Sequence, residues 1–96
     1  MFLFPYLIEM EIKKAKSLLD DILDICAQLE DETLTEACSG IYNDIQAAKS
    51  LEVIITSARE LMVFVNEAPW EDADLLDLKE EVEEIFNRLM EEYEDF

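Results

Sequence analysis

The stretch from Leu51 to Val65 constrains the fold of this chain more than any other part of the sequence. Ten of its fifteen residues are apolar, so a helix through it carries apolar side chains on every face. Such a helix has to be covered on every face, either by its flanking segments or by a second copy of the chain. We therefore predict a shared core and dimer contact formed by Leu51, Ile54, Ile55, Leu61, Met62, Phe64 and Val65.

Length and composition predict a single all-α domain. The 96 residues are enough to form one hydrophobic core and too few for two domains. One glycine and two prolines leave little with which to build tight β turns, whereas the abundant Leu, Ile, Ala, Glu and Met favour long helices.

The first helix is expected to follow a short apolar arm at residues 1–5 and to begin near Pro5 or Tyr6, because proline suits a first helical turn. Apolar residues from Ile8 to Leu29 then recur at alternate spacings of four and three. This spacing predicts a seam against a long antiparallel neighbour.

The middle of the chain is open to two interpretations. After a charged turn at residues 30–32, Thr33 and Glu36 have the spacing of a capping box. The preferred interpretation is one continuous helix from there to Glu67. The alternative is a break near Ser50, whose side chain would cap a new helix.

The last helix is expected to start at Pro69, which stops the preceding helix and fits a first turn. An apolar seam from Leu75 to Tyr93 follows. The predicted fold is an elongated antiparallel helical bundle with three long helices, or four if the central helix breaks, paired as a homodimer.

The net charge of the chain limits the classes of molecule that it is expected to bind. Twenty-five acidic against seven basic residues give a formal charge of −18. Phosphate contacts need clustered Lys and Arg, so direct nucleic-acid binding is not expected, and an anionic membrane surface would repel the chain. Such a field attracts cationic surfaces, divalent metals or basic proteins. The alternative explanation is that the acidity serves solubility or adapts the protein to a salty or warm cytoplasm.

The sequence also predicts where the protein is located. The apolar start has no positive leader region, and no window approaches a membrane span, so we expect a cytoplasmic protein. Two cysteines are too few for a disulfide framework. Cys26 and Cys38 lie symmetrically about Glu32 and should face each other in a helical hairpin.

The predicted function is that of a non-catalytic adaptor, regulator or inhibitor without a cofactor, engaging a basic protein. The chain has no histidine, which excludes Ser-His-Asp chemistry. The predicted interaction residues are Asp77, Glu80, Glu84, Glu91 and Trp70. For Trp70, which follows the Pro69 stop at a helix start, the preferred interpretation is a structural one, in which the ring caps the end of the bundle. A structural dimeric bundle of no assignable function is a further alternative.

Two acidic runs suggest an enzyme instead. Asp20, Asp21 and Asp24 match the DDxxD run that holds magnesium in prenyl-diphosphate enzymes, although the core-facing Ile22 between them favours a solvated face. The run from Glu80 to Glu84 is distantly similar to the paired carboxylates of small all-α nucleotide pyrophosphohydrolases. That resemblance implies Mg²⁺ or Mn²⁺ held by Glu81 and Glu84.

Overall fold

Four α-helices joined by short connections form the described part of the protein. The computed structural model describes the backbone of residues 4–93 and the side chains of residues 9–93. The helices are α1 (Phe4–Ala27), α2 (Glu32–Ala47), α3 (Leu51–Glu67) and α4 (Ala73–Tyr93). The predicted all-α bundle is confirmed.

Two helices form the centre of the bundle. α1 contacts the other three helices and α3 does the same, whereas α2 and α4 have no contact with each other over the described residues. α1 and α3 are thus the central pair, with α2 on one side and α4 on the other. The bundle measures 50 × 22 × 17 Å, so it is elongated as predicted.

The continuous central helix was the wrong choice of the two interpretations. α2 ends at Ala47 and α3 begins at Leu51, with the Ser50 hydroxyl accepting a hydrogen bond from the Val53 amide at 3.4 Å. The break lets α3 fold back on α2, so that Ile45 and Ile54 become completely buried within one chain. A continuous helix would have left such side chains for another subunit to cover.

The start of α2 also differs from the predicted capping box. Asp31, not Thr33, is the N-cap, and its carboxylate accepts a hydrogen bond of 3.0 Å from the Leu34 amide. A carboxylate oxygen is a strong acceptor for the free amides of a first turn. Thr33 is consequently an exposed residue of that turn.

The start of α4 lies four residues later than predicted. Asp72 accepts a hydrogen bond of 2.8 Å from the Leu75 amide, and the helix begins at Ala73 rather than Pro69. At the other end of the chain, α1 already includes Phe4 and Pro5, which the sequence assigned to an arm. The remainder of that arm, residues 1–3, lies outside the described residues.

The core draws on all four helices. Leu19 and Ile22 of α1 meet side chains of α2, α3 and α4 that have no exposed surface or almost none. Each such aliphatic side chain contributes about 1.5–3 kcal/mol when it leaves water. None of the helices in the described part of the chain combines the length and the apolar character that crossing a membrane requires.

Candidate protein-interaction surfaces

The acidic stripe predicted on the last helix is an exposed surface of α4. Asp77, Glu80 and Glu84 are exposed, and so is Glu91 two turns further along. At 100° per residue these four positions fall within a narrow sector directly opposite buried Val82. The stripe is about 21 Å long at the helical rise of 1.5 Å per residue.

Charge on α4 is one-sided. The helix contains eight acidic and two basic residues, the latter being Lys79 and Arg88. Leu76, 48% exposed, is the largest apolar side chain that this helix leaves to water among the described residues. The outer face of α4 is therefore acidic, with a single apolar residue beside the stripe.

Trp70, predicted both as an interaction residue and as a cap for the end of the bundle, does not belong to this surface. Its side chain is 7% exposed, and its indole Nε1 donates a hydrogen bond of 2.7 Å to the backbone oxygen of Val65. The ring closes the end of the bundle between α3 and α4. Its role is structural.

The seven residues predicted for a shared core divide into two groups. Leu51, Ile54, Ile55, Leu61 and Val65 are buried by the helices of one chain. Met62 is half-buried and Phe64 is 37% exposed, so these two remain accessible to another molecule. Pairing with a second copy stays a prediction.

A second surface lies between α2 and α3, on the side facing away from α1 and α4. At the end near the α2–α3 connection, a groove of about 720 Å³ is lined by Ala47, Val53, Glu60 and their neighbours. At the other end, a depression of about 200 Å³ is lined by Phe64, Pro69 and neighbouring polar residues. Val53 is not among the residues predicted for a surface, because the apolar residues of this segment were assigned to the core of one continuous helix rather than to the separate faces of two shorter helices.

Three lysines gather where the middle of α1 faces the α2–α3 connection. Lys13, Lys16 and Lys49 line a depression of about 540 Å³ together with Glu9 and the apolar floor of Ile12 and Ala48. Within residues 9–93 none of the three lysines forms an ion pair. This basic patch stands out on a molecule whose net charge is −18.

The two cysteines face each other, as the hairpin symmetry predicted. A hydrogen bond between the two thiols raises the pKa of buried Cys26, with a further contribution from its burial, and lowers the pKa of Cys38. Both are free thiols, and half-buried Cys38 lines a groove between α1 and α2. The accessible thiol is therefore Cys38.

The carboxylates predicted for the two enzyme alternatives are not grouped with enough other metal-binding side chains to hold a metal ion, over the residues whose side chains are described. Glu81 and Glu84 are exposed on α4, and over residues 9–93 no three side chains of His, Cys, Asp or Glu come together as a metal ion would need. In the DDxxD run, burial raises the pKa of Asp20, and the charges of Asp24 and Asp21 raise it further. Burial and the two neighbouring like charges together account for the direction of this shift.

The fold places the described chain among the all-α four-helix bundles. No family model, no curated protein and no solved structure matches the chain. Function therefore has to be argued from the surfaces described above.

Proposed function

We propose that this protein is a non-catalytic acidic helical interaction protein, an adaptor, regulator or inhibitor, that engages a basic protein partner in the cytoplasm. The observation that carries the proposal is the stripe of Asp77, Glu80, Glu84 and Glu91, all exposed on the side of α4 opposite the core. A net charge of −18 extends the same field over the molecule.

Attraction between such a surface and a basic partner acts at long range. Complementary fields raise association rates and reject partners of the wrong sign, and the effect fades as salt screens it over about 8 Å at physiological ionic strength. A basic surface that normally meets phosphates would meet the negative groups of α4 in their place. This is how an inhibitor of a phosphate-binding protein would act.

The experiment is a pull-down with the tagged protein at low and high salt. We expect the captured proteins to be more basic than the lysate background and to be released steeply as salt rises. A variant in which the stripe is neutralised should lose them; its substitutions are Asp77→Asn, Glu80→Gln, Glu84→Gln and Glu91→Gln.

The matched control removes four exposed acids elsewhere and leaves the net charge equal to that of the stripe variant. Its substitutions are Asp21→Asn, Asp24→Asn, Glu36→Gln and Glu71→Gln. The control should retain the partners. Captured proteins no more basic than background, or equal loss in both variants, would contradict a role for the stripe.

A further inference from the structure

The surface between α2 and α3 has a regular construction. Exposed residues of each helix fall on one stripe with successive spacings of seven, four and three, which keep them on one face. Because the two helices pack side by side in opposite directions, the stripes run next to each other. We call this surface the α2–α3 outer face; its residues are Thr33, Gly40, Asp44 and Ala47 of α2 and Val53, Glu60, Phe64 and Glu67 of α3.

Apolar groups form the bottom of this face at both of its ends. Val53 and Ala47 line the groove near the α2–α3 connection, and Phe64 and Pro69 line the depression at the far end. Val53 is 43% exposed, close to the value for Leu76 on α4. The chain therefore leaves apolar surface at two separated points of a single face.

Gly40 lies between these two points. A Cβ atom at this position would meet nothing within 4 Å, so no contact inside the chain requires glycine in the middle of α2. Glycine in a helix interior costs about 1 kcal/mol relative to alanine. What it provides here is bare backbone to which another molecule can approach closely.

The rim of the face is acidic. The lining residues of the two depressions include five acids and one base, Lys49. None of the five acids makes an ion pair within the described part of the chain. The acids are Asp31, Asp44, Glu52, Glu60 and Glu67.

We propose that the α2–α3 outer face binds a cationic amphipathic helix of a partner protein. This rests on the proposed function and names its partner class and a contact surface other than the α4 stripe. Apolar side chains of the bound helix fill the two depressions, its backbone passes close to Gly40, and its Lys or Arg residues meet the acidic rim.

Length and charge select this occupant. The stripes span about 21 Å, the length of a helix of about 14 residues, and a helix laid along two others is the ordinary packing of a bundle. A second copy of this chain would bring its own five rim acids against these five. A cationic helix replaces that repulsion with attraction.

The probe is a synthetic peptide with leucine on one helical face and lysine on the other, and its control is a scrambled peptide of the same composition. Affinity is measured by calorimetry at low salt. We expect the amphipathic peptide to bind at least about tenfold more tightly than the scrambled one, because only a helix with its leucines on one side fits both depressions.

Two variants test the site within the intact chain. Gly40→Gln adds a side chain where the fold has open space, so it should weaken peptide binding about tenfold while leaving the bundle at least as stable. Val53→Ser should also weaken binding. Leu76→Ser removes a comparably exposed apolar side chain from α4 and should leave the affinity unchanged.

Other outcomes overturn the inference. Equal binding of the scrambled peptide, or loss of binding only in the α4 stripe variant, would overturn it and leave the proposed function standing. No binding of either peptide at low salt would count against both. A dimer in solution that Gly40→Gln dissociates would assign the face to a second copy instead.

Discussion

The indole of Trp70 and the backbone oxygen of Val65 are joined by a hydrogen bond of 2.7 Å. Val65 lies in the last turn of α3, where carbonyl groups lack partners from within the helix. The same oxygen also accepts from the Ala68 amide at 3.3 Å. The bond fixes the connection that turns the chain from α3 into α4.

Trp70→Phe should therefore destabilise the bundle. The variant loses the donor and part of a buried ring, and we expect the free energy of unfolding to fall by about 1–2 kcal/mol. Urea unfolding followed by the helical circular dichroism signal measures it. Tyr42→Phe, at an exposed tyrosine, is the control and should change stability by less than about 0.5 kcal/mol. A Trp70→Phe variant as stable as the control would argue against a structural role.

Gly40→Ala should stabilise the protein. The added Cβ meets nothing, so the substitution improves helix propensity without a clash. We expect a gain of about 0.5–1 kcal/mol, which for a domain of this size raises the melting temperature by about 2–8 °C. Thermal unfolding by circular dichroism checks it. A lower melting temperature would mean that the position is more crowded than it looks.

The sequence could predict the helices and the hairpin of α1 with α2, but not the pairing of α2 with α3. Apolar spacing of four and three identifies α1 and α4, because long uninterrupted seams leave no other regular structure. The break at Ser50 is weaker in the sequence, since the apolar spacing continues through Ala48 and Leu51. Ala48 is buried before the turn and Leu51 is buried after it. The spacing of apolar residues is therefore the same for one continuous helix and for a helical hairpin.

The exposure of surface residues could be predicted where a helix has charged residues opposite a clear apolar seam. The α4 stripe follows from spacing, because a helix with its apolar seam on one side must expose the opposite side. Charge and spacing do not decide the burial of Trp70 and Val53. The tryptophan is buried at the turn between α3 and α4, where its indole donates a hydrogen bond to Val65, and the valine is exposed because α2 covers only part of α3.

The two thiols should react at very different rates. Cys38 lies in an accessible groove and has the lowered pKa, while Cys26 is buried with a raised pKa. Thiolate is the reactive form, so native protein should titrate one thiol quickly with a disulfide reagent and the second only in denaturant. Cys38→Ser should abolish the fast phase and Cys26→Ser should keep it.

Two equally fast thiols would contradict the burial of Cys26. Zero free thiols in unreduced protein would mean that the pair is oxidised.

Tyr93 should make the protein sensitive to alkali. Burial raises the pKa of its hydroxyl, and the nearby carboxylates of Glu11 and Glu92 raise it further. The unfolded chain therefore releases this proton first, at about pH 10, and stability present below that pH is lost as the pH rises above it.

The Tyr93→Phe variant isolates this effect, because all other titrating groups are shared with the wild type. Urea unfolding at about pH 8 and about pH 11 should show a larger loss of stability in the wild type than in Tyr93→Phe. Tyr42→Phe should behave like the wild type, since it leaves Tyr93 in place. Equal losses of stability in the wild type and in Tyr93→Phe would contradict this prediction. They would mean that the tyrosine hydroxyl is no harder to ionise in the folded protein than in the unfolded chain. The close packing of the end of α4 against Glu11 of α1 would then have to be abandoned.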